Sequence, residues 1–388
     1  MKIKSLKARE IKDTRGESTI EISLITDFGE FISSAPNGKS RGKFEVKTWR
    51  KSLKEDIKSI NNFFIEDINI RRFEDLILLE NTFNKIIGGN SMITLEYSFL
   101  KALAFIEDKE VWELINSRAK KFPLPIGNAI SGGLHSSNKK KPDFQEFHFI
   151  PVTSFSKSVQ INKRALENCS EILKNTDINF SWKKSDENAW QTSLNNEQVI
   201  EVMKQVRDNM KDEFKTTIHL GIDVAASSFY KNGSYIYTNP KSTKIKREQI
   251  KLMNKLAKDM FYIEDPLEEE DFIGFSKIKS NGLIVGDDLT TTNFERLKIA
   301  YLKKSINAII IKPNQIGSLI EVKKIVDYCK DKKIKIIFSH RSGETSENIL
   351  ADLAFGFEAD FIKIGIEGPG RDEKIFRLIE IERNMLGK

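Results

Sequence analysis

The stretch "AIIIKPNQIGS", residues 308–318, decides the fold. A short continuous apolar run, closed by a proline and then a glycine, reads as a strand buried on both faces. Lys312 follows the last isoleucine at once, and a lone cation does not belong inside a core. The same pattern recurs through the second half of the chain. "IHLGID" ends at Asp223, "MFYIED" reaches Glu264, "LIVGDD" reaches Asp287, "KIIFSHR" leads to His340 and "DFIKIG" runs through Lys363. After a first interval of 41 residues, from 223 to 264, these polar ends recur every 23 to 28 residues. One βα unit takes roughly 25 to 30 residues, so the spacing is that of a repeated parallel βα fold. The longer first interval leaves room for a hairpin, and "SSFYKNGSYIYT" supplies one around Asn232-Gly233.

A (β/α)8 barrel buries its strand interiors and opens their C-terminal ends onto one face. Polar residues at six successive strand ends would then converge on one pocket. A doubly wound sheet also collects ligands at strand ends, but GxGxxG is absent and too many strands would bear charge. The N-terminal part has another style. Residues 3–9, 18–26 and 30–35 read as strands, and from about 45 to 118 apolar residues fall three and four apart, as in "FEDLILLENTFNKIIG". "KKFPLP" at 120–125 breaks the helical pattern. The expected architecture is therefore α/β: a barrel over 121–388, preceded by a small α+β domain over 1–120.

The 388 residues are 39% hydrophobic and 31% charged, with no run near the roughly 20 apolar residues of a membrane span. The opening "MKIKSLKARE" has no signal-peptide core. Cys169 and Cys329 form no CxxC, so neither a disulfide framework nor a thiolate metal site is expected, and a reducing cytoplasm fits. The net charge of +7 comes from scattered lysines, and its densest run, "NKKKP" at 138–142, lacks interleaved aromatics. A solvated surface explains it better than nucleic acid.

Asp223, Glu264 and Asp287 stand at consecutive strand ends. Three adjacent carboxylates repel unless a cation lies between them, and all-oxygen ligation suits Mg2+ over Zn2+. The alternative is that each acid caps the helix after its strand. Lys312, partly desolvated near a divalent metal, would lose its proton easily and act as a base; the plainer reading is an ion pair with Asp287. "SHRSGET" offers His340, Arg341 and Ser342 for a phosphate, with Lys363 one unit later. "ISGGLHSS" contains His135, "DFQEF" contains Gln145 and Glu146, and "SDENAW" contains Glu187. A dehydration needs a carboxylic acid to protonate the departing hydroxyl, and spacing alone does not choose between Glu146 and Glu187.

The chain resembles the enolase family along nearly its whole length. "AREIKDTRGESTIEI", "LGIDVAASSFY", "YIEDPLEEEDF", "VGDDLTTTN", "IIIKPNQIGS" and "SHRSGETSENILADLAFG" follow in family order. The resemblance implies Mg2+-dependent, reversible dehydration of 2-phosphoglycerate. A Lys base paired with Mg2+ is the known arrangement of that superfamily, not a deduction from spacing. It further implies Asp223, Glu264 and Asp287 on the catalytic Mg2+ and Lys312 taking the C2 proton. Glu187 would protonate the C3 hydroxyl, supported by Glu146 and Gln145. Arg341 and Ser342 would hold phosphate with a second Mg2+ that reaches the Ser40 loop. Lys363 would lie on the carboxylate side, and His135 and His340 would line the pocket. An antiparallel strand early in the barrel and a dimer or larger homo-oligomer are implied too.

Three departures from the family pattern stand out. Ser185-Asp186-Glu187-Asn188 replaces Gly-Asp-Glu-Gly and "AWQT" replaces the following Ala-Pro pattern, which would stiffen or re-aim the loop. Pro313 follows the base and removes an N–H. Arg41 stands beside Ser40 in "PNGKSRGKFE". Two other functions are compatible: a weakly catalytic relative kept for binding nucleic acid or protein, and a superfamily member acting on another acid sugar. Arg341 and Ser342 argue against the second.

Overall fold

A computed structural model describes residues 2–39, 42–63 and 68–387. Strands β1 (Ile3–Lys12), β2 (Ser18–Thr26) and β3 (Glu30–Ser34) form an antiparallel meander. Period-two alternation buries Ile20, Ile22 and Leu24 of β2 on one face. The helix Gly89–Ile106 covers that face, and Ser98 donates to the Ile22 carbonyl at 3.2 Å. The helical region starts later than 45. Helices occupy Leu53–Asn61, Leu76–Phe83, Gly89–Ile106 and Val111–Asn116. Residues 45–52 run as bends because their backbone bonds go elsewhere: Val46 N–H donates to the Gln315 carbonyl, and the Lys47 carbonyl accepts from Gly89.

The remaining strands are β4 (Leu124–Ser131), β5 (Glu146–Pro151), β6 (Trp190–Gln191), β7 (Ile218–Asp223), β8 (Tyr230–Lys231), β9 (Ser234–Thr238) and β10 (Lys241–Ile245). They continue with β11 (Tyr262–Glu264), β12 (Leu283–Gly286), β13 (Ala308–Ile311), β14 (Lys335–Ser339) and β15 (Phe361–Lys363). Eight of them close a barrel in the order β4-β5-β7-β11-β12-β13-β14-β15, with β15 pairing back onto β4. Strand β5 runs antiparallel to both neighbours; the other barrel pairings are parallel. β8 and β9 form the expected hairpin, and Asn232 (φ 49°) and Gly233 (φ 79°) supply its two left-handed turn residues.

Alternation along β13 answers what a cation does after three isoleucines. Ala308 and Ile310 face the barrel interior, in one apolar layer with Ile126, Ile150, Tyr262, Val285, Ile337 and Phe361. Ile309 and Ile311 face outward, in the core shared with the helices. Lys312 has the parity of Ile310 and therefore points inward at the rim. The same count carries Glu264 above Tyr262, Asp287 above Val285 and Lys363 above Phe361. An apolar floor thus supports a charged upper layer. Because β5 runs backwards, its first residue reaches that layer, and Glu146 lies opposite Asp223, which lies opposite Glu264.

Candidate active site

The charged layer is organised around Lys363. Its Nζ lies 2.8 Å from Glu264 Oε2, 3.1 Å from Glu146 Oε2 and 3.3 Å from Asp223 Oδ2. One ammonium does not neutralise the acids here. Burial pushes Glu264 up to about 8, with Asp223 adding repulsion and Lys363 pulling against it. Burial likewise raises Asp223 to about 6, with Lys363 opposing and Glu146 and Asp287 reinforcing. Asp265 is held well above the usual carboxylate range by burial and by Asp288 and Asp287. Such a cluster binds protons that a divalent cation would displace.

The donor set fits such an ion. Glu264, Asp265 and Asp287 each present an oxygen, and these lie within 4.8 Å of one another. Glu264 Oε1 is buried without a hydrogen-bond partner. Asp223, expected with them, is adjacent but engaged: Oδ2 accepts from Gln145 Nε2 at 3.3 Å, and Oδ1 accepts from the Ala225 N–H at 2.9 Å. Asp265 was not foreseen. It accepts the N–H groups of Asp287 at 3.2 Å and Asp288 at 2.6 Å, and so shapes the loop that aims Asp287.

Lys312 donates a short hydrogen bond to Asp287 Oδ2. Burial is the largest influence and lowers its proton affinity, but the surrounding acids, Asp287 first and then Glu264, together turn the net shift upward. In the chain by itself Lys312 therefore forms the ion pair with Asp287, the plainer of the two expectations. Pro313 leaves the strand end intact. It begins the helix Pro313–Ile316, where an N–H would have no intrahelical partner anyway, and Lys312 N–H donates to Thr292 Oγ1 at 2.9 Å.

Across the pocket, Glu187 is buried between two histidines. His135 Nδ1 lies 3.5 Å from Glu187 Oε1 and 3.4 Å from Glu146 Oε1, and His340 Nε2 lies 3.8 Å from Glu187 Oε2. Asn128 Nδ2 donates to Glu187 Oε2 at 3.2 Å. The two imidazoles diverge. Burial opposes charging His135, but Glu187 and Glu146 overcome it and lift the ring to about 9. Burial dominates at His340 and pushes it down to about 3. Burial pushes Glu187 up, yet His135 and His340 pull harder and hold it well below the usual range. The loop is stiffer than a glycine loop. Ser185 Oγ accepts from the N–H groups of Glu187 and Ala189, both at 3.3 Å, and Asn188 takes the left-handed conformation at φ 63°. Glu187 still points into the site.

Arg341 forms a two-pronged ion pair with Glu45, at 3.0 Å and 3.1 Å, and Nη1 donates to Asn314 Oδ1 at 3.2 Å. Ser342 Oγ accepts from Arg15 Nη1 at 2.7 Å and from the Lys39 N–H at 2.8 Å. A Cβ at Gly38 would stand 1.9 Å from Arg341 Nη2, so any larger residue there would displace the guanidinium. Ser40 and Arg41 lie outside the described residues. One pocket is lined by His135, Gln145, Glu146, Glu187, Asp223, Asp287, Lys312, His340, Arg341, Ser342 and Lys363. Glu264 reaches it through Lys363.

Sequence reasoning missed Asp265, Glu45, Arg15, Asn314 and His148. His148 Nε2 lies 2.8 Å from Glu146 Oε2, beneath the charged layer. It shares the parity of Glu146 in "EFHF", so alternation alone could have found it. Gly221 makes its room: the residue pairs with both His148 and Tyr262, whose rings meet edge-on at 5.5 Å. Glu45 carried no such signal, since its partner is 296 residues away.

The family model described as Enolase, C-terminal TIM barrel domain matches residues 119–387. The chain is 34% identical to the enolase of Picrophilus torridus, covering 99% of each. It is also 34% identical to the enolase of Archaeoglobus fulgidus, covering 99% of this chain and 98% of that one. Against the enolase of Methanothermobacter thermautotrophicus it is 32% identical, over 99% and 97%.

Proposed function

Because the chain belongs to the enolase family, we propose that it interconverts 2-phosphoglycerate and phosphoenolpyruvate with Mg2+ as its metal. An enolase is a phosphopyruvate hydratase, a carbon–oxygen lyase. The observation that carries the reading is that Lys312 and Glu187 line one pocket between the carboxylate cluster and the Arg341–Ser342 pair.

Arg341 and Ser342 bind the phosphate, and Lys363 lies beside the substrate carboxylate. Glu264, Asp287 and Asp223 would hold the ion, which when bound stabilises the enediolate's negative charge. With Asp287 engaged by that ion, Lys312 would lack the partner that fixes its proton; the ammonium would release that proton to solvent, and the neutral Nζ would take the proton from C2. The electron pair left at C2 forms the C2–C3 double bond as the C3–O bond breaks. Glu187 takes a proton from the His135 imidazolium, 3.5 Å away, and passes it to that oxygen, which departs as water. His135 stores a proton one contact away, and Glu146 stays ionised at about 2, because Lys363 and His148 outweigh burial and Glu187. Ser40 would be among the groups that hold a second ion. The catalytic unit spans 121–388 and the segment 1–120 caps it, in a dimeric or larger cytoplasmic assembly. Among the described residues no helix is long and apolar enough to cross a membrane.

The purified chain given 2-phosphoglycerate and Mg2+ should produce the ultraviolet absorbance of the conjugated product, and lose that activity on chelation. A flat trace with the chain folded would contradict the reading.

A further inference from the structure

We propose that Asn90, on a helix outside the barrel, is a positioning residue for the phosphate subsite, acting through a buried one-way chain of amide hydrogen bonds. The chain begins at Arg341, whose Nη1 donates to Asn314 Oδ1 at 3.2 Å. Asn314 Nδ2 donates to Asn90 Oδ1 at 3.1 Å, and Asn90 Nδ2 donates to Asn37 Oδ1 at 3.2 Å. Asn37 Nδ2 closes the series on Asp13 Oδ2 at 3.4 Å. All five residues are buried, Asn90 to 1% exposure.

The direction of this chain is not arbitrary. An asparagine can be turned end for end, so its neighbours must fix which end donates. Here main-chain carbonyls do so. Pro36 O accepts from Asn90 Nδ2 at 2.8 Å and from Asn314 Nδ2 at 3.3 Å, and Ser18 O accepts from Asn37 Nδ2 at 2.9 Å. Turning any one amide would set oxygen against oxygen. The series therefore runs from a guanidinium to a carboxylate, and each link polarises the next. It also forms a loop. The turn at Asp13, whose carboxylate accepts from Arg15 N–H at 2.8 Å, carries Arg15 back to Ser342. Both phosphate-binding side chains are thus aimed from the N-terminal segment, by separate contacts that meet at Asp13.

Asn90 is the middle link and touches neither the pocket nor the substrate. Its removal leaves Asn314 Nδ2 with Pro36 alone and loosens the acceptor that orients the Arg341 fork. The consequence belongs to phosphate affinity and not to the chemical step. This inference rests on the proposed reaction for its meaning, but phosphate binding tests it separately.

The test is calorimetric titration of the full chain in Mg2+ with inorganic phosphate, alongside steady-state kinetics. Asn90→Ala should weaken phosphate about tenfold, the scale of a lost hydrogen bond on the path to a charged group, and raise KM similarly, with kcat within about threefold of wild type. Combined with Arg341→Lys, it should add nothing. Ser91→Ala, on the same helix as Asn90, breaks a contact to Asp56 of the helix Leu53–Asn61 and should leave phosphate affinity unchanged. If Asn90→Ala does not fold, Asn37→Ala at the far end should give the same signature. Wild-type phosphate affinity in these variants, or an equal loss in both Arg341 backgrounds, would overturn the proposal. A wild-type chain that turns over but binds no phosphate would overturn it too. Phosphate binding without turnover would count only against the proposed reaction.

Discussion

Two histidines separated by one carboxylate show how position sets chemistry at the scale of a residue. His135 and His340 are both buried beside Glu187, yet one is lifted to about 9 and the other pushed to about 3. The difference is the surroundings: Glu187 comes closer to His135, at 3.5 Å against 3.8 Å, and Glu146 and Asp186 add to it, whereas the Arg371 and Lys363 cations oppose charging His340. Histidine is ordinarily half-protonated near pH 6.5, so His135 gains proton affinity on folding. Its contribution to stability is fully present below about pH 6.5 and is lost as pH rises through about 9. His135→Gln should therefore shrink the loss of urea resistance between pH 6 and pH 10. If the variant's alkaline loss matches wild type, the imidazolium assignment is wrong.

At the scale of elements, strand ends and helix starts do the positioning. Parallel strands present their last residues to the site, and those were readable as apolar runs ending in charge. β5 presents its first residue, so Gln145 and Glu146 precede the apolar run and the end-of-strand pattern cannot reveal them. Composition offered them as candidate groups, and the resemblance supplied their roles. The helix Leu319–Lys332 begins six residues beyond Pro313, and its start is pinned from outside the barrel. Ser318 Oγ accepts from Glu321 N–H at 2.9 Å and donates to Glu80 at 2.6 Å, while Glu96, wholly buried, accepts from Leu319 N–H at 3.0 Å. Ser318→Ala removes the cap and leaves Glu80 short of a donor. It should cost about 1–2 kcal/mol in urea unfolding. An unchanged midpoint would mean that Glu80 and Glu96 alone hold the helix start.

Across the whole molecule, the barrel supplies charge and the N-terminal segment supplies aim. Strand period and βα spacing made the barrel legible, because each rests on local backbone geometry. The contacts of Glu45, Arg15 and Asn90 were not legible, because they join residues hundreds of positions apart. The carboxylate cluster was legible as composition but not as coordination: Asp265 emerged only with the loop it braces. The central claim is a division of labour, in which Lys312 removes the C2 proton and Glu187 serves only the departing oxygen. Exchange of that hydrogen with deuterium, followed by NMR of 2-phosphoglycerate in heavy water with Mg2+, tests it most directly. The account predicts that Glu187→Gln exchanges C2 hydrogen while forming almost no product, and that Lys312→Ala does neither. Wild-type exchange in Lys312→Ala would contradict it.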